Sequence, residues 1–365
     1  MHTRIAISAG TRPHPFSNRT RTASRGVHGG TWRRGHVRSR TRARTVGRIL
    51  AVRTGIAIPT VVAVSAAMFA LASLSPLDPL AAYLGDSYQS ATLSQRQQLR
   101  DAYGTETPWY TAWWTWLTDL LHGDLGWSST QSLPVSTVLA ERLPFTLGLS
   151  ALALILATVT AVVVGSSAGM RRGGMLDRAC SVLSTTFAAV PPFVVSLVLV
   201  SVFAVTFRWF PTSGARAPGT TYSAAGIAAH AVLPLIALTV SQIPWLLLSM
   251  RAAVVDSADS DAVRAARARG IYGWALLRGH VLPTSVAPTL ALLGTRLPEL
   301  IAGAAIVETV FGWPGMAEAL VQSAAALDFS LMAATTTAAA LAVLLGSALS
   351  DAATAAIDPR VRIAA

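Results

Sequence analysis

Lysine is absent from this 365-residue sequence, and charge of either sign is scarce. Only 13% of the residues are charged and 52% are hydrophobic, whereas a soluble domain carries about 25% charged residues. This composition argues against a disordered chain and against a water-soluble enzyme. The single cysteine, Cys180, excludes an internal disulfide and a zinc site built from cysteines.

The missing lysine also excludes one kind of nucleotide site. A P-loop holds phosphates with a glycine-rich turn followed by lysine, so any ATP hydrolysis must come from another subunit. The seven histidines form neither H-x-x-x-H nor H-E-x-x-H, and no serine with a nearby basic partner stands out inside a span. The sequence therefore predicts no catalytic residues, no metal ligands and no cofactor, and the chain is not expected to be an enzyme.

All 29 basic residues are arginines, and thirteen of them lie between Arg4 and Arg53, before the first acid, Asp78. Such a segment cannot bury a core, so residues 1–47 are expected to be a disordered cytoplasmic tail. Binding to anionic membrane lipid is an alternative role. Nucleic acid is not expected as a partner, because no folded nucleic-acid module accompanies the charge.

Six apolar runs are long enough to cross a membrane, which takes about 20 residues each. They lie at 48–74, 144–168, 179–207, 227–250, 284–307 and 330–351. Sorting the connecting segments by side places 23 arginines on one side and five on the other. Positive loops stay in the cytoplasm, so both termini are expected to face inward. The predicted organisation is a tail (1–47), a first span (48–74), an outer loop (75–143), a core with five spans (144–357) and a cytoplasmic C-terminus (358–365).

The outer segments carry two further features. Five tryptophans in the loop 75–143 predict a helix at the membrane interface, where indole rings are favoured: Trp109, Trp113, Trp114, Trp116 and Trp127. After the fifth span, Trp313-Pro314-Gly315 predicts a tight reversal. Glu308, Glu318 and Asp328 are expected to make this last loop acidic.

The segment 256–283, between the fourth and fifth spans, is the most informative. Ser260 and nearby acids are good helix N-terminal residues, arginines follow, and Gly270 offers a left-handed end. A second short helix is expected from Tyr272 to Val281, with re-entry into the membrane at Leu282-Pro283. For an isolated helix, a solvated connector would be the simpler interpretation.

The spacing within this segment resembles the coupling motif of ATP-binding-cassette importer permeases. Arg264-Ala265-Ala266, then Gly270 and a distal Leu282-Pro283, are similar to the family's Glu-Ala-Ala, Gly and Leu-Pro pattern. Arginine replaces the glutamate, as in the oligopeptide and dipeptide permease branch. Residues 263–270 resemble the Val-Arg-x-Ala-Arg-Ala-x-Gly pattern of that branch. Further segments resemble that branch in order: Gly123-Asp124-Leu125-Gly126, Glu141-Arg142-Leu143-Pro144, Arg171-Arg172-Gly173, Pro191-Pro192-Phe193, Phe210-Pro211-Thr212-Ser213-Gly214, Val307-Glu308-Thr309-Val310-Phe311 and Asp358-Pro359-Arg360.

The resemblance implies an all-α membrane protein with six transmembrane helices, of the type I importer permease kind, in the cytoplasmic membrane of a prokaryote. It implies that Arg264, Ala265, Ala266, Gly270, Leu282 and Pro283 couple the chain to its ATPase. The implied partners are a second permease subunit, cytoplasmic ATP-binding subunits and an extracytoplasmic solute-binding protein. The implied cargo is a di- or oligopeptide.

Two alternatives remain open at this point. The same machinery could carry a nickel-chelate or another small solute, because the motifs report coupling and not cargo. An ion-coupled secondary transporter is a different class, and it would need intramembrane ionisable groups and usually inverted repeats. The sequence shows one charged pair inside a span and no clear repeat.

That pair is Arg296 and Glu299, spaced so that the two side chains can meet on one helix. A central arginine costs about 2.5–3.5 kcal/mol on insertion scales. The pair can serve either as an internally neutralised contact with the partner subunit or as a lining of the substrate pathway. The sequence does not decide between these interpretations.

Overall fold

The computed structural model describes residues 34–75, 90–103 and 107–357. The chain divides into a unit over residues 1–41 and a compact unit over residues 42–365. The expected tail over 1–33, parts of the outer loop at 76–89 and 104–106, and the segment 358–365 with Asp358-Pro359-Arg360 lie outside the described residues.

The described residues are almost entirely helical, which confirms the predicted all-α class. The helices are α1 (Arg34–Ser73), α2 (Leu93–Tyr103), α3 (Trp109–Leu121), α4 (Val135–Met170), α5 (Met175–Ala188), α6 (Pro192–Thr206), α7 (Ala224–Ala258), α8 (Asp261–Ala268), α9 (Gly273–Phe311), α10 (Met316–Ala326) and α11 (Phe329–Ile357). Three helices contain a π-helical segment, at Ala161–Gly165 in α4, Val200–Thr206 in α6 and Leu277–Val281 in α9. Strands β1 (Trp127–Ser128) and β2 (Leu133–Pro134) form one short antiparallel pair.

Five of these helices are long and apolar enough to cross a membrane: α1 from Ala51 onward, α4, α7, α9 and α11. The bent pair of α5 and α6 makes a sixth span if it is counted as one. The first helix begins at Arg34, before the expected start at residue 48, because arginine is a good helix former and lets the helix extend from the apolar run. Residues 34–47 of the expected tail are therefore helical.

The third span differs from the prediction, which treated 179–207 as one straight helix. Helix α5 ends at Ala188, α6 begins at Pro192, and the two axes are bent by 101°. Pro191 and Pro192 have no backbone N–H to continue the hydrogen bonds of α5, and a proline disfavours helical backbone in the residue before it. Pro192 is tolerated because it begins α6, where the N–H would be unpaired in any case.

Helix α4 begins nine residues before the expected residue 144, at Val135. Val135 and Val138 are fully buried in a cluster with Trp116 and Leu331, so packing stabilises the turns that hydropathy did not assign to the span. Four of the five tryptophans expected on a helix lie on α3, whereas Trp127 lies in β1. Trp113 of α3 donates from Nε1 to Ser65 Oγ of α1 at 3.1 Å, and the place of α3 at the membrane interface stays a prediction.

Helix α7 is the centre of the bundle, with α4, α5 and α9 packed on it. The contact with α4 depends on two glycines. A Cβ on Gly169 would lie 2.8 Å from Val254 Cγ1 and 2.9 Å from Arg251 O, and one on Gly165 would lie 3.0 Å from Leu247 O. Small residues allow membrane helices to approach this closely, so α4 and α7 are held at backbone contact distance.

Candidate functional site

Helix α8 is a capped, self-contained helix between two spans. The Ser260 side chain accepts a hydrogen bond from the backbone N–H of Val263, and Asp261 lies in the first turn. Gly270 has φ +80°, and the N–H groups of Gly270 and Ile271 donate to the carbonyls of Arg267 and Ala266 at 2.9 and 3.1 Å. These two bonds form a Schellman motif, so both helix ends are fixed by local chemistry, as the sequence predicted.

One face of α8 is buried inside the chain. Val263 and Ala266 are fully buried in a cluster with Val254 of α7 and with Leu276 and Val281 of α9. Because these two residues are three apart, they lie on the same side of the helix. The side chain of Ala266, to which the resemblance assigns a part in coupling, packs α8 against its own spans.

The opposite face of α8 is exposed and basic. Arg264 and Ala265 are exposed, and Arg264 donates to Asp261 Oδ1 at 2.6 Å. Arg171 and Arg172 are exposed at the same end of the bundle, where Arg172 lies 3.7 Å from Asp259. We call this end, with Arg171, Arg172, Arg264, Arg267 and Arg269, the basic end.

Leu282 and Pro283 are not the boundary that the sequence suggested. Helix α9 runs from Gly273 to Phe311 without interruption, and the π-helical segment Leu277–Val281 directly precedes Leu282. A proline removes one N–H and crowds the preceding turn, and a local π-turn is a known way to accommodate such a defect. The segment after α8 is therefore joined rigidly to the fifth span.

A buried ion pair at the basic end was not predicted. Asp177 of α5 is 4% exposed, and its carboxylate accepts from Arg251 of α7, one bond at 3.0 Å, and from Gly173 N at 2.9 Å. Sequence reasoning had counted Arg251 only as a positive loop charge. The one local signal was the single acid in the first turn of α5.

The structure brings Arg296 and Glu299 of α9 together in an ion pair. The guanidinium of Arg296 also lies over the ring of Trp245 in α7, 4.1 Å from its centre, in the geometry of a cation–π contact. Arg296 is mostly covered, whereas the Glu299 side chain is 51% exposed. Glu299 lines a cavity of about 190 Å³ beside the bend between α5 and α6.

The basic end and this cavity both lie in the part of the chain that matches a known family. A family model for the inner membrane component of binding-protein-dependent transport systems matches residues 161–363, more than half of the chain. The chain belongs to this family. Its members are transporter permease subunits, and the family implies ATP-binding and substrate-binding partners.

Similar proteins cover most of this permease. An oligopeptide transport system permease protein of Bacillus subtilis is 29% identical over 85% of this chain and 97% of its own length. A protein of Brucella suis named as a peptide permease is 30% identical over 84% of this chain and 97% of its own length. A dipeptide transport system permease protein of Lactococcus lactis is 28% identical over 85% of this chain and 98% of its own length. The permease is thus a multi-pass membrane protein of the expected family.

The expected acidic loop after the fifth span is not present as such. Glu308 is 1% exposed within α9, where it accepts from Thr146 Oγ1 of α4 at 2.5 Å and from Ala317 N of α10 at 2.9 Å. Asp328 is 4% exposed and accepts from Ser128 Oγ at 2.7 Å. Burying an acid requires hydrogen-bond partners, and here the backbone and hydroxyl donors provide them.

Glu318 is the acid of this group that remains at the surface. It accepts from Arg142 Nη1 at 3.0 Å. The acids therefore tie α9 and α10 to α4 and the residue before α11 to β1, at the end of the permease opposite the basic end. A second charged pair within the predicted spans, which the sequence did not indicate, joins Arg53 of α1 to Asp351 of α11.

Proposed function

We propose that this permease is a membrane subunit of an ATP-binding-cassette importer for di- or oligopeptides. A second permease subunit completes the pathway, cytoplasmic ATP-binding subunits hydrolyse the ATP, and an external solute-binding protein delivers the peptide. The relatives named for peptide transport cover more than four-fifths of the chain, which supports the cargo. The observation that carries the mechanism is α8, a capped helix with one face buried and its basic face exposed.

Helix α8 acts as a lever in this proposal. An ATP-binding subunit contacts its exposed residues, including Arg264 and Ala265, and pushes the helix as a rigid body. The buried contacts of Val263 and Ala266 pass this displacement to α7 and α9. Gly270 serves the coupling by fixing the turn after α8, and Leu282 and Pro283 serve it within α9, directly after its π-helical segment.

The Asp177–Arg251 pair extends the lever to the bent span. Because Arg251 lies on α7 and Asp177 on α5, a movement of α7 must carry α5 with it or break this partly buried ion pair. Closely packed helices with two alternative arrangements convert small displacements into gating.

The proposed orientation places the basic end and both termini in the cytoplasm. This follows the positive-inside rule and puts α8 on the side where ATP is available. The Arg-rich segment 1–47 then forms the cytoplasmic flank of the first span, close to anionic membrane lipid. The loop 75–143 and the turn after α9 lie on the side of the solute-binding protein.

The candidate substrate pathway includes Arg296 and Glu299. Half of the Glu299 side chain is exposed in the single subunit, which leaves it accessible from the pathway. Its position beside the cavity at the bend supports contact with a passing solute. This role is separate from coupling at α8 and can be tested separately.

The experiment is uptake into liposomes that contain the complete importer with its partner permease, ATP-binding subunits and solute-binding protein. We expect a labelled tripeptide to enter only with ATP inside and to keep entering when ionophores collapse all ion gradients. Uptake driven by an ion gradient without ATP would refute the importer class. Competition by a nickel-chelate but by no peptide would refute the peptide cargo and leave the class intact.

A further inference from the structure

A polar cavity lies where the third span is broken. The bend at 187–192 forms one wall, Ser241, Gln242 and Trp245 of α7 form another, and Glu299 of α9 also lines it. Gln242 lies near the middle of α7, about 24–27 Å from either end at 1.5 Å per residue. Discontinuous helices near the middle of a membrane are places where transporters bind their solutes.

Gln242 lines this cavity and carries an unused acceptor. The residue is 2% exposed, and its Nε2 donates to Ser241 Oγ at 3.2 Å. The Ser241 hydroxyl gives its own hydrogen to Leu238 O at 2.7 Å, so it can only accept from Gln242. The amide must therefore turn its NH2 to Ser241, and its Oε1 has no partner among the described residues.

A buried carbonyl oxygen without a donor is costly, which points to a donor that arrives with a ligand. Glu299 adds a second acceptor, because Arg296 donates to only its Oε2 and a carboxylate can accept about four hydrogen bonds. The guanidinium of Arg296 already forms an ion pair with Glu299 and a cation–π contact with the ring of Trp245.

The partial charges at the ends of α5 and α6 do not change the preference of this cavity for a ligand that carries hydrogen-bond donors. The C-terminal end of α5 carries partial negative charge and the N-terminal end of α6 carries partial positive charge, and the two meet at the same bend, where they oppose each other. The side chains therefore decide which ligand fits. They offer a carboxylate and an amide oxygen, a set that favours a compact cation with several N–H donors.

We infer that this cavity binds a primary ammonium group of the peptide in transit, the protonated N-terminus, between Glu299 and the Oε1 of Gln242. The inference rests on the proposed function and names the part of the cargo that the permease recognises. A cavity of about 190 Å³ is smaller than the roughly 300–1,000 Å³ of pockets that enclose whole ligands. It holds one end of a peptide and leaves the rest in the pathway.

The test compares uptake of trialanine with that of N-acetyl-trialanine by the complete reconstituted importer. The solute-binding protein can have its own preference, so the quantity measured is the change in the uptake ratio between wild type and variant, in which that preference cancels. We expect Glu299→Gln to lower the ratio of free to acetylated peptide at least about fivefold, because it removes a charge-assisted hydrogen bond.

Glu318→Gln is the matched control. Its side chain is also 51% exposed and also pairs with an arginine, but it does not line the cavity, so the ratio should not change. Gln242→Met removes the free acceptor without touching the ion pair, and we expect it to lower the ratio as well. If the Glu299→Gln permease fails to assemble with its partners, the uptake ratio of the Gln242→Met permease tests the inference instead.

A third peptide separates the two sources of a primary ammonium. N-acetyl-Ala-Lys-Ala carries the group on a side chain only, and we expect its uptake to respond to Glu299→Gln as weakly as that of N-acetyl-trialanine. The inference is overturned if Glu299→Gln and Gln242→Met leave the ratio unchanged, or if the lysine peptide alone responds. If the wild-type importer takes up none of these peptides, the proposed function itself fails.

Discussion

Replacing Ala265 or Ala266 of α8 with leucine should give opposite phenotypes, although the two residues are neighbours. Ala266 is fully buried among α7 and α9, and Ala265 is exposed. Additional atoms in a close-packed core cost about 1–3 kcal/mol, while an exposed substitution changes stability by less than about 0.5 kcal/mol. Ala266→Leu should therefore weaken the fold, and Ala265→Leu should leave it intact.

The magnitude for Ala266→Leu follows from its surroundings. Its neighbours are apolar side chains on two other helices, so the leucine must displace α8 or strain the cluster. A loss of about 1–3 kcal/mol lowers the melting temperature by roughly 2–4 °C for each kcal/mol in chains of 150–250 residues, and somewhat less in a longer chain. Ala265→Leu should show no shift beyond measurement error.

The functional assay is ATP hydrolysis by the complete importer, stimulated by the peptide-loaded solute-binding protein. We expect Ala265→Leu to reduce this stimulation or to separate it from uptake, because its side chain projects into the proposed contact with the ATP-binding subunit. Thermal unfolding of the purified permease is measured on the same preparations. An Ala265→Leu protein that melts as early as Ala266→Leu, or one that transports normally, would refute the assignment of the two faces.

Three further substitutions, two of them with a matched control, test the packing and the turn after α8. Gly169→Val should prevent assembly of the bundle, because even a Cβ there meets α7 at 2.8–2.9 Å, whereas Gly148→Ala, with open space around it, should be neutral by yield and melting temperature. Glu308→Leu should destabilise the permease by about 1–3 kcal/mol, since a buried hydroxyl and a backbone N–H lose their acceptor, and a melting temperature equal to that of wild type would contradict this. Gly270→Ala should cost about 1–2 kcal/mol from its φ of +80° alone, and Gly279→Ala, in a helix with free space, should not lower the melting temperature.

The sequence predicted those features that depend on neighbouring residues. The apolar runs located the spans, and Ser260 and Gly270 marked the ends of α8, because a cap and a Schellman turn involve residues only a few positions apart. The bend in the third span was visible as Pro191-Pro192, yet hydropathy scored the run as continuous. A sum of side-chain polarities contains no information about backbone direction.

The missed features all join residues that are far apart in the chain. Asp177 and Arg251 are separated by 74 positions, and Thr146 and Glu308 by 162. Such pairs exist only after the helices have been packed, so no local period or motif indicates them. The burial of Ala266 was missed for the same reason, since the partner surface on α9 is formed by a different span.

The π-helical segment in α9 makes the direction of α8 insensitive to one change in chain length. A π-turn holds one residue more than an α-turn, so it takes up an extra residue within a single turn and leaves the helix on either side facing nearly the same way. Removing a single amino acid between Leu277 and Val281 would let the helix become regular, while its first turn, with Trp274, keeps nearly its direction. Homologous importers that differ here by one residue should therefore present α8 to their ATP-binding subunit from the same side.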